Sequence, residues 1–267
     1  YGLHPERARG PFVESAANGL GLLICGVAAM ITARSTRVVE WRWFAWIVAG
    51  LCLFGTLLTL TRAVWLGTAL GIIIAMIVAR ELRRYLLPLA FTGAAGVVLA
   101  LALIPSFAES APTREGESRP VWDRLNLIEA GGNMVADKPL FGFGWNRAER
   151  DAQPYFRQSD DFPITTTNLR IHNVFLSNAV ELGLIGTTIW LMGLMIAVGG
   201  AVLTRGPPEL YPFRIGFIAI AVQWAVVANF VPLFFLFPNL VLWTWAGLVS
   251  CWYVERIVKR PPAPPEP

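Results

Sequence analysis

The stretch that decides the fold is IGFIAIAVQWAVVANFVPLFFLFPNLVLWTWAGLVSCWYV, residues 215–254, which contains no Asp, Glu, Lys or Arg. A helix needs about 20 apolar residues to cross the hydrocarbon core of a bilayer, so forty residues are enough for two spans. The aromatic segment 229–238, with two prolines and an asparagine, breaks the run and predicts spans near 215–231 and 236–254. The sequence therefore predicts a membrane protein.

The rest of the chain contains further uncharged runs of similar length. They cover residues 16–33, 43–60, 63–79, 85–104 and 184–203. Only 15% of all residues are charged, far fewer than in a soluble domain, which excludes a soluble enzyme, a coiled coil and a disordered chain. We expect an all-α polytopic membrane helix bundle with about seven transmembrane helices and one large periplasmic loop.

These runs divide the chain into four parts. Residues 1–104 hold transmembrane helices 1–4, and residues 105–172 form the periplasmic loop. Residues 173–254 hold helices 5–7, and 255–267 form a cytoplasmic, Pro-rich disordered tail.

Basic residues in the short loops set the orientation. Loops 34–42, 80–84 and 204–214 and the tail together carry eleven Lys and Arg residues, and seven alternating spans place all four on one side. The positive-inside rule makes that side cytoplasmic, so residue 1 is outside. The chain starts with Tyr1 and no signal peptide precedes the first span, which favours a fragment.

The large loop is the part of the chain with a soluble character. Its first section, Ser106 to Pro120, is polar and predicted to be flexible. Residues 121–137 are predicted to form an amphipathic helix on the outer leaflet, weakened by Gly131-Gly132 and ended by Pro139. Its apolar residues at helical spacing are Val121, Trp122, Leu125, Ile128 and Val135. Residues 141–145 are predicted to form a turn.

Four ionisable residues at the membrane boundary are candidates for function. Arg62 stands alone between two apolar spans, Arg7 precedes the first span, and His172 and Glu181 lie at the outer start of the fifth. Two arginines and a histidine on one face could hold a lipid diphosphate and deprotonate a hydroxyl. Each residue also has a non-catalytic interpretation. Arg62 could extend to lipid phosphate and Arg7 could be solvated. His172 could form a hydrogen bond at a helix end, and Glu181 could pair with a nearby arginine.

No metal site, cofactor or nucleic-acid surface is predicted. The chain has only two histidines and no Asp-x-Asp pair, and its basic residues are not interleaved with stacking aromatic residues. Cys25, Cys52 and Cys251 all lie in apolar stretches, which predicts small buried hydrophobic side chains.

Four motifs in order resemble those of the O-antigen ligase and polymerase superfamily, bacterial membrane enzymes that move glycans off polyprenyl diphosphate. The motifs are Arg7-Ala-Arg-Gly-Pro-Phe12 with Asn18, Thr61-Arg62-Ala-Val-Trp-Leu-Gly67, Arg119-Pro-Val-Trp122 with Asp137-Lys-Pro-Leu-Phe-Gly-Phe-Gly144, and His172-Asn173 with Glu181-Leu-Gly-Leu-Ile-Gly186. In the first motif Glu14-Ser15-Ala16 replaces the usual Asn-Pro-Asn.

The resemblance implies an activity and roles for the site residues. It implies transfer of a glycan from undecaprenyl diphosphate to an acceptor hydroxyl, metal-independent and inverting, at the periplasmic face of the bacterial inner membrane. Arg7 and Arg62 would clamp the diphosphate and His172 would act as the base. Arg119, Arg170 and Glu181 would support substrate binding. It also implies about twelve spans with both ends cytoplasmic, so that this chain would be the C-terminal portion.

Several functions stay open within this resemblance. The acceptor could be the lipid A-core, a growing glycan or a protein, as in a ligase, a polymerase or a protein O-oligosaccharyltransferase. Membrane lipids are further expected partners. A non-catalytic transporter of lipid-linked glycans is the alternative from another class, and it would be expected to show broken helices in paired halves.

The orientation can be tested with cysteines placed at Ser110, Ser159 and Ser35. An impermeant thiol reagent added to intact spheroplasts should label the first two, which lie in the predicted periplasmic loop, and should not label the third. Labelling at Ser35 alone would invert the topology.

Overall fold

The computed structural model describes residues 7–12, 14–103, 119–156, 170–203, 206–232 and 236–258. Within these ranges all regular elements are helices, which confirms the predicted all-α class. The α-helices are α1 (Ser15–Ser35), α2 (Val39–Leu58), α3 (Arg62–Val78), α4 (Leu86–Leu103), α5 (Arg119–Asp137), α6 (Ala148–Asp151), α7 (Val174–Leu203), α8 (Tyr211–Ala228) and α9 (Leu236–Val258). Short 3₁₀ helices cover Arg80–Tyr85, Gln153–Tyr155 and Pro208–Leu210.

Four helical segments are long and apolar enough to cross a membrane. They are α1, α2, α7 and the segment Pro208–Ala228, and α3 and Leu236–Cys251 are shorter apolar helices. Helix α4 also coincides with the predicted run 85–104. The protein is therefore a helical membrane protein, while the count of seven spans stays a prediction.

Three predictions need correction. Helix α9 continues to Val258, so residues 255–258 are helical although the tail was predicted to be disordered; no Pro or Gly occurs before Pro261 to end the helix. Cys25 and Cys251 are exposed and only Cys52 is buried, because the outer surfaces of these helices are apolar. Helix α5 begins at Arg119, with Pro120 in its first turn, where the missing N–H costs nothing. Residues 106–118 and 259–267 lie outside the described residues.

Helices α1, α3 and α8 pack at the centre through small residues. A Cβ added to Gly71 would lie 2.4 Å from the carbonyl oxygen of Ala219, and one added to Gly19 would lie 2.4 Å from Cγ1 of Val64. Backbones approach this closely only where a side chain is absent, as is common between membrane helices. The adjoining apolar cluster includes Leu20, Leu23, Val64, Phe217, Trp224 and Leu242.

A buried glutamine joins the same three helices. Gln223 is fully buried, and its Nε2 donates to Oγ1 of Thr68 at 2.8 Å and to the Gly19 carbonyl at 3.3 Å. A polar group in hydrocarbon must find its partners within the protein. Hydrogen bonds of this kind contribute about 0.6–2 kcal/mol each to helix association and also fix the register of the helices.

Helix α7 is interrupted at Gly183, whose φ of 67° and ψ of 179° are not helical. The turn of residues 139–144 lies against this break. The amide of Phe143 donates to the Val180 carbonyl and that of Gly144 to the Glu181 carbonyl, both at 2.9 Å, while the amide of Leu184 donates to the Pro139 carbonyl at 2.7 Å. The turn thus supplies backbone partners that the helix has lost.

Helix α5 packs on the first half of α7 with a face that the sequence pattern did not reveal. Leu127, Ala130 and Met134 are buried, whereas Leu125 and Ile128, two members of the predicted apolar stripe, are about half exposed. The helix continues through Gly131, where a Cβ would lie 2.9 Å from Cδ2 of Leu176. The absence of a side chain at Gly131 therefore permits close contact between α5 and α7, while the weakening of the helix by Gly131-Gly132 stays a prediction.

The break in α7 generates a stability prediction. Gly183→Ala should lower the free energy of unfolding by at least about 1–3 kcal/mol, because only glycine tolerates this conformation and a Cβ would lie 2.3 Å from the Leu140 carbonyl oxygen. Gly193→Ala in the same helix is the control, since a Cβ there meets no atom within 4 Å. Thermal unfolding in one detergent measures both, and equal melting temperatures would contradict the role given to Gly183.

Candidate functional site

The packing of α3 against α8 determines which loops share one end of the bundle. Gly67 contacts Gln223 and Gly71 contacts Ala219, so the two helices run antiparallel. Continuing this register places Arg62, the first residue of α3, level with the C-terminal end of α8 at Ala228. The start of α3 and the end of α8 therefore lie at the same end of the molecule.

The segment that carries Arg7 is fixed at this same end. The amide of Ala8 donates to the Leu58 carbonyl at 2.9 Å, and Nδ2 of Asn18 donates to the Ala8 carbonyl at 3.2 Å. Gly10 has a φ of +54° and would place a Cβ 2.6 Å from Oδ1 of Asn18. Residues 7–12 are thus held between α1 and the end of α2, next to the start of α3.

Hydrogen bonds also orient the turn before Arg62. The hydroxyls of Ser15 and Thr61 lie 2.8 Å apart, and Nε1 of Trp65 lies 3.1 Å from the carbonyl oxygens of both Thr56 and Leu57. Leu60, two residues before the helix, has a φ of 48°, which makes the turn sharp. Arg62 is exposed at the start of α3. The polar residues of this motif therefore set the position of a cation at the helix end.

His172 reaches the same end through the residue that follows it. Oδ1 of Asn173 accepts the amide of Leu176 at 2.9 Å, which caps α7. Nδ2 of Asn173 donates to Oδ1 of Asn229 at 3.3 Å, and Asn229 directly follows α8. The structure thus brings the start of α7, with His172, to the end of the bundle that also holds Arg62 and the segment of Arg7.

The surroundings of His172 favour its neutral form. Burial, the larger cause, and the positive charge of Arg124 lower the pKa of His172 below its ordinary value of 6.5, while the Arg170 backbone and Asp123 act in the opposite direction. Nδ1 is buried and has no hydrogen-bond partner among the described residues. A neutral imidazole can accept a proton, which is the requirement for a general base.

The three residues predicted to support the substrate have different positions. The Nε atom of Arg170 forms a salt bridge with Oε2 of Glu149 in α6 at 3.0 Å. This contact ties the end of the large loop to an earlier part of the same loop. The Glu181 carbonyl bonds Gly144 beside the break in α7. Arg119 is the first residue of α5, and its side chain lies outside the described part of the structure. Arg170 and Glu181 thus belong to the scaffold that holds the loop against α7.

The part of the chain that the structure describes contains no group of three His, Cys, Asp or Glu residues that could hold a metal ion.

Sequence reasoning missed Asp123, Arg124 and Asn229 as neighbours of the site. Asp123 and Arg124 precede the buried Leu127 by four and three residues, on the face of α5 that the apolar pattern did not reveal. Asn229 was interpreted only as part of the break between two spans. Its contact with Asn173 depends on tertiary packing and has no local signal.

A family model described as O-antigen ligase matches residues 47–191, more than half of the chain. The chain belongs to the O-antigen ligase family. The match confirms the resemblance seen in the motifs, and it extends from α2 into α7 to include Arg62, the large loop and His172. Arg7 lies outside it. No curated protein matches the sequence. Membership of the O-antigen ligase family supports glycan transfer of the ligase or polymerase type in general.

Proposed function

We propose that this O-antigen ligase family protein transfers a glycan from undecaprenyl diphosphate to an acceptor hydroxyl at the periplasmic face of the bacterial inner membrane. The observation that carries the proposal is that Arg62, the segment of Arg7 and His172 lie at one end of the bundle. A cationic group and an imidazole that is favoured in its neutral form, with its Nδ1 buried, suit a lipid-linked anion and a hydroxyl nucleophile.

The arginines act on the leaving group. Arg7 and Arg62 hold the two phosphates, and the first turn of α3 adds backbone N–H groups that favour an anion. Negative charge grows on the diphosphate as its bond to the sugar breaks. Guanidinium groups that meet this charge better in the transition state than in the ground state lower the barrier.

His172 acts on the nucleophile. A ring nitrogen takes the proton of the acceptor hydroxyl while the acceptor oxygen bonds to the anomeric carbon, and the electron pair of the broken bond leaves with undecaprenyl diphosphate. Attack opposite the diphosphate inverts the anomeric centre. Asn173 and Asn229 act as positioning residues because their hydrogen bond ties the start of α7 to the end of α8.

The acceptor is a lipid A-core in a ligase, a growing glycan in a polymerase or a protein in an oligosaccharyltransferase. Incubation of the purified protein with labelled undecaprenyl-diphosphate glycan and each acceptor in turn distinguishes these three activities. Donor binding with no transfer to any of the three would favour the non-catalytic transporter. The described helices contain one break, in α7, whereas that alternative predicts breaks in paired halves.

The proposed clamp predicts that a lysine cannot replace Arg62. Arg62→Lys should lose most transfer activity while the protein still inserts, because a point charge does not reproduce the two parallel hydrogen bonds of a guanidinium. Arg37→Lys, in the loop before α2 at the opposite end, is the matched control and should keep its activity. Near wild-type transfer by Arg62→Lys would show that Arg62 only snorkels to lipid phosphate.

The proposed base predicts a change in turnover without a change in donor affinity. His172→Ala should lower turnover by roughly 10²–10⁴-fold, since the proton is transferred only in the transition state. In the parent protein, activity should fall as the pH drops through the pKa of His172, and its lowered pKa places that fall below pH 6.5. Turnover and donor affinity of His172→Ala, measured in one detergent preparation, distinguish a general base from a residue that only forms a hydrogen bond at the helix end. Weaker donor binding with unchanged turnover would end the base assignment.

A further inference from the structure

A cavity of about 510 Å³ opens at the end of the bundle opposite Arg62. It lies between α1, α2, α3, α4 and α8, and its walls are almost entirely apolar. Its lining includes Val27 and Ile31 of α1, Trp46 of α2, Ile72 and Met76 of α3, and Ala219 of α8. Ile72 lies ten residues after Arg62 along α3, which separates the cavity by roughly 15 Å from the proposed diphosphate site. The cavity is therefore a different site.

One side of the cavity is lined by polar residues, and further positive charge lies next to it. Arg34, Glu81 and Tyr211 line it, and Tyr211 donates a hydrogen bond to Glu81. Two further arginines lie over tyrosines of the lining, Arg84 at 4.9 Å from the ring centre of Tyr85 and Arg214 at 5.4 Å from that of Tyr211. Arg34 and Glu81 are thus part of the lining, and the guanidinium groups of Arg84 and Arg214 lie next to it, over two of its tyrosines.

We infer that this cavity binds an anionic glycerophospholipid of the leaflet at this end of the bundle. Its acyl chain occupies the apolar interior, and its phosphate lies among Arg34, Arg84 and Arg214. Basic pockets between membrane helices select anionic head groups in this way, because each arginine near the surface contributes about 1 kcal/mol. The apolar walls alone would accept any lipid tail, so the charge on the polar side supplies the selectivity. The inference does not depend on the proposed transfer reaction.

Native mass spectrometry of the purified, delipidated protein measures this binding with phosphatidylglycerol and phosphatidylcholine as probes. Arg34→Gln should weaken phosphatidylglycerol binding about fivefold, the equivalent of one arginine contact, and should leave phosphatidylcholine binding unchanged. Arg37→Gln is the matched control, three residues further along the chain and absent from the cavity lining. The Arg34 variant changes only an exposed side chain, so the fold is retained.

A second pair of variants tests the interior. Ile72 lines the cavity, whereas its neighbour Ile73 is exposed on another face of α3. Ile72→Trp should fill the space and abolish retention of phosphatidylglycerol, and Ile73→Trp should not. Equal retention of the two phospholipids by the parent, equal loss in both members of either pair, or displacement of phosphatidylglycerol by an equal concentration of undecaprenyl phosphate would each overturn the inference.

Discussion

The close approach of α3 and α8 is the constraint on which the other features depend. Gly67 and Gly71 let the two backbones meet, and Gln223 fixes their register by bonding Thr68 and the Gly19 carbonyl. In lipid there is no hydrophobic force between helices, so contacts of this kind and buried hydrogen bonds hold a bundle together. The same register brings the start of α3 to the end of α8. It also leaves the apolar cavity at the other end, where Arg34, Glu81, Tyr85 and Tyr211 are part of the lining.

The turn 139–144 of the large loop is attached to the bundle by backbone hydrogen bonds. A helix interrupted in or near a membrane exposes carbonyl and amide groups that need partners, and the turn 139–144 provides them at the Gly183 break. Gly142 and Gly183 are both required, since a Cβ on either would lie within 2.6 Å of backbone atoms of the other segment. This explains why glycines recur in the two motifs at these positions, although the motifs are about forty residues apart.

How much was predictable from the sequence differs between the helices and the site. The uncharged runs located the ends of the apolar helices to within about four residues, except that α7 begins at Val174, ten residues before the run 184–203. Length and apolarity are local properties that the bilayer imposes on each helix separately. The run 184–203 even begins directly after the break at Gly183. The break itself, the face of α5 that packs on α7 and the pair Asn173–Asn229 were not predictable, because each depends on what another segment presents. Arg62 and His172 were predicted from their isolated positions and their motifs. Arg124 is identified as a neighbour of the site only by its effect on the pKa of His172.

The break in α7 also has a consequence for biogenesis. Residues 139–144 are synthesised before residues 180–185, so the donors and acceptors that complete the interrupted helix already exist when that helix leaves the ribosome. Insertion of α7 can then be coupled to arrival of the preceding turn, because the isolated helix would enter the bilayer boundary with unpaired backbone groups. In the order of synthesis, the partners of the interrupted helix therefore precede the break that they complete.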